Sequence, residues 1–191
     1  LPDCNSIEFN NEKDILKITS KTAGVVLETI QGGAGFIVPE NNYLKKVKNR
    51  CSEVGALLIL DEIQPGFGRT GKLFSFEHYD ISPDILVIGK GMGGGMPIGA
   101  FTASKELMLL LSNNPKLGHI TTFGGHPVIA SAALATLKEI TSTNLIEETL
   151  QKEILFRKEL VHPLIKEIRG KGLMLALIVE NSEITSEVIL K

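Results

Sequence analysis

Three side chains able to do chemistry stand just past the ends of apolar runs. Glu28 follows Gly24–Leu27 (GVVL), Asp61 follows Ala56–Leu60 (ALLIL), and Lys90 follows Asp84–Ile88 (DILVI) after one glycine. A carboxylate at the end of a fully apolar strand is costly to bury unless it meets a cation or a hydrogen-bond donor. Lys90 sits among Gly89, Gly91, Gly93, Gly94 and Gly95, which put backbone but no side chains beside it. That leaves room for a flat ligand to approach the ammonium. A partly desolvated lysine with a depressed pKa is the usual nucleophile of Schiff-base chemistry. The bland alternative is a capping aspartate in a loop and a solvated surface lysine. Spacing alone leaves both readings open.

These residues need elements to position them, and the chain alternates strands with helices. Gly24–Leu27 is a short strand that leads into the glycine-rich loop Gln31–Gly35. Tyr43–Val54 is a helix: Leu44, Val47, Cys51 and Val54 recur at spacings of three and four, with Lys45, Lys46, Lys48 and Arg50 opposite. Gly55 stops it. Ala56–Leu60 and Asp84–Ile88 are apolar on both faces, as buried parallel strands are. Ile98–Thr102 reads as a fourth strand and Lys105–Leu111 as a short helix. Pro127–Ile140 is an Ala-rich helix with proline in its first turn. A long helix starts near Asn144, where Asn144 and Glu147 have capping-box spacing, is broken or kinked at Pro163, and ends its segment at Gly170. Leu173–Val179 is a last strand. The alternation predicts an α/β fold with a mostly parallel sheet, whose ligand site lies at the carboxyl ends of the strands.

Composition narrows the function. The 191 residues carry Lys+Arg 20 against Asp+Glu 22, a formal net charge of -2, with 43% hydrophobic and 22% charged residues. That is an ordinary globular balance, not a disordered tail. Without a basic excess, nucleic acid is a poor candidate partner. No apolar run reaches the roughly 18 residues that a membrane helix needs. Cys4 and Cys51 make neither a disulfide framework nor a zinc quartet, so a reducing, cytoplasmic setting is expected. His78, His119, His126 and His162 are scattered, and no metal site is expected. Two glycine patterns, Gly66–Gly71 and Gly89–Gly94, fit G-x-G-x-x-G, but neither leads into an amphipathic helix as dinucleotide binding requires. There is no initiator Met, and the opening LPDCNSIEFN has no signal-peptide pattern. Both ends read as those of a piece of a longer chain.

Four runs carry a resemblance. LLILDEIQPGFGRTGKLFSFEH (Leu57–His78), PDILVIGKGMGGGMPIGA (Pro83–Ala100), TTFGGHP (Thr121–Pro127) and RGKGLML (Arg169–Leu175) follow in this order. Together they resemble the class III, pyridoxal-phosphate-dependent aminotransferases, the group holding acetylornithine, ornithine and 4-aminobutyrate aminotransferases. The resemblance covers nearly the whole chain. It implies the fold-type-I large domain, a mostly parallel sheet with helices on both faces, present incompletely. Residues 1–141 would be the second half of that cofactor-binding domain. Residues 142–191 would be a linking helix and the start of the small C-terminal domain. The implied reaction moves an amino group from an amino acid or amine to a 2-oxo acid such as 2-oxoglutarate.

The resemblance also implies roles. Lys90 matches the lysine that holds pyridoxal 5′-phosphate as a Schiff base and then shuttles the substrate's proton. Asp61 matches the aspartate that pairs with the pyridine nitrogen and keeps it protonated, so that the ring can take up electrons. Gln64 matches the residue near the phenolic oxygen, with Glu62 and Ile63 in the same cofactor-contacting turn. Thr122 matches a threonine that reaches the phosphate of the partner subunit, which implies a homodimer with shared active sites. Thr121 is then a substrate or supporting neighbour, and Glu28 a supporting carboxylate.

Three positions depart from the family pattern: Gly33 replaces a second glutamate, His126 an asparagine, and Pro65 a small polar residue. In some members that glutamate pairs with an active-site arginine and tunes which amino group is accepted. The family's phosphate-cradling loop and stacking aromatic match nothing in this chain, and its carboxylate-binding arginine falls beyond Lys191. The 191 residues alone are therefore expected to turn over little. The other readings are a non-catalytic remnant or dimerisation partner, and a decarboxylase, racemase or aminomutase on the same scaffold.

Overall fold

The computed structural model describes residues 3–112, 116 and 119–190. Four strands form one sheet in chain order: β1 (Gly24–Glu28), β2 (Leu57–Asp61), β3 (Ile85–Gly89) and β4 (Gly99–Ala103). The first three run parallel and β4 closes the edge antiparallel, with Ile85 opposite Ala103 and Gly89 opposite Gly99. The sheet is thus mostly parallel, in an α/β fold.

Helix α1 (Tyr43–Val54) makes the crossover from β1 to β2 and has the predicted bounds. Its Leu44, Val47 and Cys51 are fully buried against Val25, Leu27, Leu58 and Leu60 of the sheet. Ile15 and Ile18 close the cluster. Alternation decides which strand residues enter it: Leu58 and Leu60 are fully buried, whereas Leu57 and Ile59 are only half-buried. On β1, Val26 is 66% exposed on the opposite face. The crossover from β2 to β3 has no α-helix. It passes through residues 62–84 and one 3₁₀ turn, Ser75–Tyr79.

The second half of the chain has α2 (Lys105–Leu110), α3 (Pro127–Ser142) and α4 (Leu145–Glu159). A separate hairpin of β5 (Glu167–Lys171) and β6 (Met174–Ile178) follows, and then α5 (Ser182–Leu190). Here the sequence expectation needs correcting. The helix from Asn144 ends at Glu159, and residues expected to extend it towards Gly170 form β5 instead. Pro163 blocks helix continuation, and residues 167–171 find better hydrogen bonds across the apolar run of β6. The Asn144 capping box does not form; its side chain makes no cap bond. Helix α5 was not anticipated, although the side chain of Asn181 accepts the Ile184 amide at 2.9 Å, a cap signal that was there to read.

The hairpin is tied back to the sheet-side loop. Arg157 of α4 donates to the carbonyls of Ile168 (2.6 Å) and Gly170 (2.9 Å), and Glu153 accepts the Gly172 amide at 2.7 Å. The Leu173 amide then donates to the Arg69 carbonyl at 2.9 Å. Gly172 has φ +62, and a Cβ there would lie 2.5 Å from the Arg69 carbonyl oxygen. Only glycine permits this approach, which accounts for the second glycine of RGKG.

At the amino end of the sheet, Asp84 accepts the Leu58 amide at 2.7 Å and Lys48 at 2.8 and 2.9 Å. Burial pushes its carboxyl up, but the hydrogen bonds from Lys48 and Leu58 and the Lys48 charge outweigh this and hold it below the usual carboxylate value. A depressed carboxyl stabilises the fold above its unfolded value of 3.8 and loses that contribution as pH falls through the folded value. Asp84→Ala should lower stability by about 1–3 kcal/mol at neutral pH. Urea unfolding at pH 7 and again near pH 3 tests this; an equal deficit at both pH values would refute it.

Candidate active site

Register fixes where the reactive residues lie. Glu28 is the last residue of β1 and pairs directly with Asp61, the last of β2, which in turn pairs with Val87 of β3. Lys90 follows β3 immediately. The three residues predicted from the ends of apolar runs therefore share one edge, the carboxyl edge, where α/β sheets bind ligands.

Each is then aimed by local bonds. Asp61 Oδ1 accepts the Ile63 amide at 2.9 Å, a tight turn that redirects the chain off the strand. Its other oxygen has no hydrogen-bond partner among the described residues. Glu28 accepts the Gly32 amide at 2.8 Å and so folds the Gln31–Gly35 loop over the end of β1. A Cβ at Gly32 would overlap the Gln64 amide oxygen and lie 3.1 Å from Glu28 Oε2. The bare glycine thus lets the loop, Glu28 and Gln64 meet. Ile63 packs against Gly89, the residue before Lys90: a Cβ at Gly89 would be 3.4 Å from its Cγ2.

A cavity of about 250 Å³ opens beside Lys90, lined also by Gln64, Phe36, Phe67, Arg69 and Met174. Lys90 itself is exposed, and its amine carries no hydrogen bond or ion pair among the described residues. Its backbone is unusual, with φ 42. Left-handed geometry is ordinary for asparagine and aspartate. Among the described residues other than glycine, asparagine and aspartate, three adopt it, Phe36, Phe67 and Lys90, and all three line this cavity. Strained backbone concentrates where function over-determines it.

Of the expected site residues, Lys90 and Gln64 line the cavity, whereas Asp61, Ile63 and Glu28 stand at the same sheet edge without lining it. Glu62 is fully buried, and its carboxylate is taken up by Thr29, Ser75 and Phe76. It does not line the cavity. Alternation explains this, since consecutive residues leaving β2 point to opposite sides. Thr121 and Thr122 are exposed and do not line it either. The helix they precede, α3, packs against Lys90–Gly93. Phe36, Phe67, Arg69 and Met174 were not singled out from the sequence. Glycine spacing marked their loops, but only the closed fold brings them together.

These residues fit pyridoxal phosphate at two of its ends. An unpaired lysine amine suits an aldehyde, and a carboxylate with one free oxygen, at the same sheet edge, suits a protonated ring nitrogen. Among the described residues, no cluster of three or more His, Cys, Asp or Glu could hold a metal ion, and no helix is long and apolar enough to cross a membrane.

Comparison with known proteins gives the family. The family model for Aminotransferase class-III matches residues 3–191, and the chain belongs to that family. It is 49% identical over 175 residues to the putrescine aminotransferase of Pectobacterium atrosepticum, which covers 88% of this chain and 37% of that protein. Ornithine aminotransferase from Toxoplasma gondii superposes with a TM-score of 0.88 and 33% identity, over 96% of this chain and 45% of that one. Another structure of the Toxoplasma enzyme has partial occupancy of PLP at its active site. Acetylornithine aminotransferase from Elizabethkingia anophelis gives 0.83 and 35%, over 92% and 45%. The chain spans less than half the length of these relatives.

If Lys90 is held in a left-handed conformation that a side chain resists, glycine should suit the position better than alanine. Lys90→Gly should be more stable than Lys90→Ala by about 1 kcal/mol, read from denaturant midpoints. Equal stability, or a less stable glycine variant, would mean the backbone there is unstrained.

Proposed function

We propose that the complete protein is a pyridoxal-phosphate-dependent aminotransferase in which Lys90 and Asp61 hold the cofactor. The observation that carries this reading is the shared edge: an unpaired lysine amine, held in strained backbone just beyond β3, and a carboxylate at the carboxyl end of the adjacent strand β2. Bound pyridoxal phosphate supplies an aldehyde that condenses with amines and a ring that takes up the electron pair left when a proton departs from carbon.

The rest falls to the protein. Lys90 Nζ would be the group that holds the cofactor, and the same amine would serve to take and return the substrate's proton. Its glycine neighbours leave the amine room to swing between those tasks. Asp61, with one oxygen not taken by the Ile63 amide, would be the carboxylate that keeps the ring nitrogen protonated. Gln64 lines the cavity beside Lys90, where its amide N–H can donate to the phenolic oxygen. Glu28 holds the Gln31–Gly35 loop against Gln64. Thr122 serves the phosphate of a second subunit, so the working form is a homodimer with shared sites, and Thr121 supports it.

The amino donor is a small amine or amino acid and the acceptor a 2-oxo acid. Gly33, which stands where the family often has a glutamate, leaves open space around the loop; an added Cβ there would meet nothing within 4 Å. Specificity that depends on that carboxylate is therefore not expected. Free Cys4 and Cys51 suit a reducing compartment, the cytoplasm.

In the full-length enzyme, Lys90→Ala should abolish turnover. Asp61→Ala should slow it by about 100-fold or more, the scale of losing one preorganised charge partner, and weaken cofactor binding. Steady-state transamination kinetics check both. Near-normal rates in either variant would remove that residue from its role.

A further inference from the structure

We propose that Glu62 is a positioning residue: its buried carboxylate locks the turn between Asp61 and Gln64 and thereby aims both at the cofactor. This rests on pyridoxal phosphate being the group that Lys90 and Asp61 hold.

Glu62 is 0% exposed, and no cation pairs with it among the described residues. A carboxylate buried without a cation costs several kcal/mol and persists only where its lone pairs are satisfied. Here they are. Oε1 accepts the Thr29 hydroxyl at 2.5 Å and the Phe76 amide at 2.9 Å, and Oε2 accepts the Ser75 amide at 2.9 Å. Its backbone is used as well: its N–H donates to the Val87 carbonyl at 2.8 Å, and its carbonyl accepts the Gly66 amide at 3.0 Å. Burial still pushes the carboxyl above its usual range, against the pull of the three donors.

What it ties together is specific. Thr29 directly follows Glu28 at the end of β1. Ser75 and Phe76 belong to the 3₁₀ turn in the crossover that returns to β3 and Lys90. Val87 is the β3 partner of Asp61. One side chain and its backbone therefore join the ends of all three parallel strands. The residues on either side of this anchor, Asp61 and Ile63, form the turn that redirects the chain, and Gln64 follows. With Glu62 pinned on one side of the chain, Asp61 is left to face the other.

The test is a pH titration of the visible absorbance of bound cofactor in the full-length holoenzyme. Cofactor affinity and the thermal unfolding of the cofactor-free form are measured beside it. Glu62→Gln keeps the shape but sets an amide N–H₂ against backbone N–H donors. Thr29→Val removes one donor at nearly constant volume, and Thr29→Ser keeps it. Glu62→Gln and Thr29→Val should both shift the absorbance midpoint and weaken cofactor binding by about tenfold, the scale on which groups behind a ligand act. Thr29→Ser should match the parent. If Glu62→Gln does not fold, the Thr29 pair decides by itself. Lower unfolding temperatures with an unmoved midpoint and affinity would mean a structural role only, and overturn the proposal. A parent protein with no such band, or a Lys90→Ala variant that keeps it, would overturn the cofactor reading and the positioning role with it.

Discussion

A parallel sheet delivers the carboxyl ends of its strands to one edge, and register decides which residues arrive there level. In this chain the pairing Glu28 to Asp61 to Val87 sets that edge, and Lys90 emerges from the strand beside it. A slip of one residue would turn Asp61 into the core and bring Leu60 out. The register is held from the other end. The Asp84 carboxylate accepts the Leu58 amide and its own amide donates to the Leu58 carbonyl, so the starts of β2 and β3 are clamped where Lys48 also binds. Cohesion lies at the amino end and chemistry at the carboxyl end. α1 covers one face of the sheet between those ends, with Leu44, Val47 and Cys51 buried against it.

Above that edge the backbone is less relaxed. Phe36, Phe67 and Lys90 adopt a left-handed conformation that costs each of them on the order of 1 kcal/mol or more, and they meet around one cavity. They come from three separate loops. Each loop is held by contacts elsewhere: the Gln31–Gly35 loop by Glu28, the Phe67–Arg69 loop by Leu173 and by Thr149 of α4, and the Lys90 turn by α3. Strain at the site is thus offset by bonds outside it. The second half of the chain, which among the described residues contributes Leu173 and Met174 to the cavity lining, is thereby coupled to the shape of the site.

Much of this was legible from residues. Apolar runs gave β1 to β3 within a residue, and the spacing of Leu44, Val47 and Cys51 gave α1 with its bounds. The rule that α/β sheets bind ligands at carboxyl ends singled out Glu28, Asp61 and Lys90. The roles of Gln64 and Thr122 came only through resemblance to the class III aminotransferases, since a glutamine in a turn and a threonine before a helix carry no signal of their own. One departure has a physical cause. The segment that forms β5 reads as the continuation of a helix because its pairing partner lies beyond a turn, and local pattern does not report hydrogen bonds to distant residues. The cavity-lining Phe36, Phe67, Arg69 and Met174 stayed invisible because three loops and a hairpin must close before they are neighbours.

The central claim is that Lys90 is the amine that binds the cofactor, and covalent trapping tests it most directly. Full-length protein is incubated with pyridoxal phosphate, reduced with borohydride and digested, and the modified lysine is located by mass spectrometry. Saturable labelling of Lys90 above all other lysines is the predicted result. Labelling spread evenly over surface lysines, or none, would contradict the account.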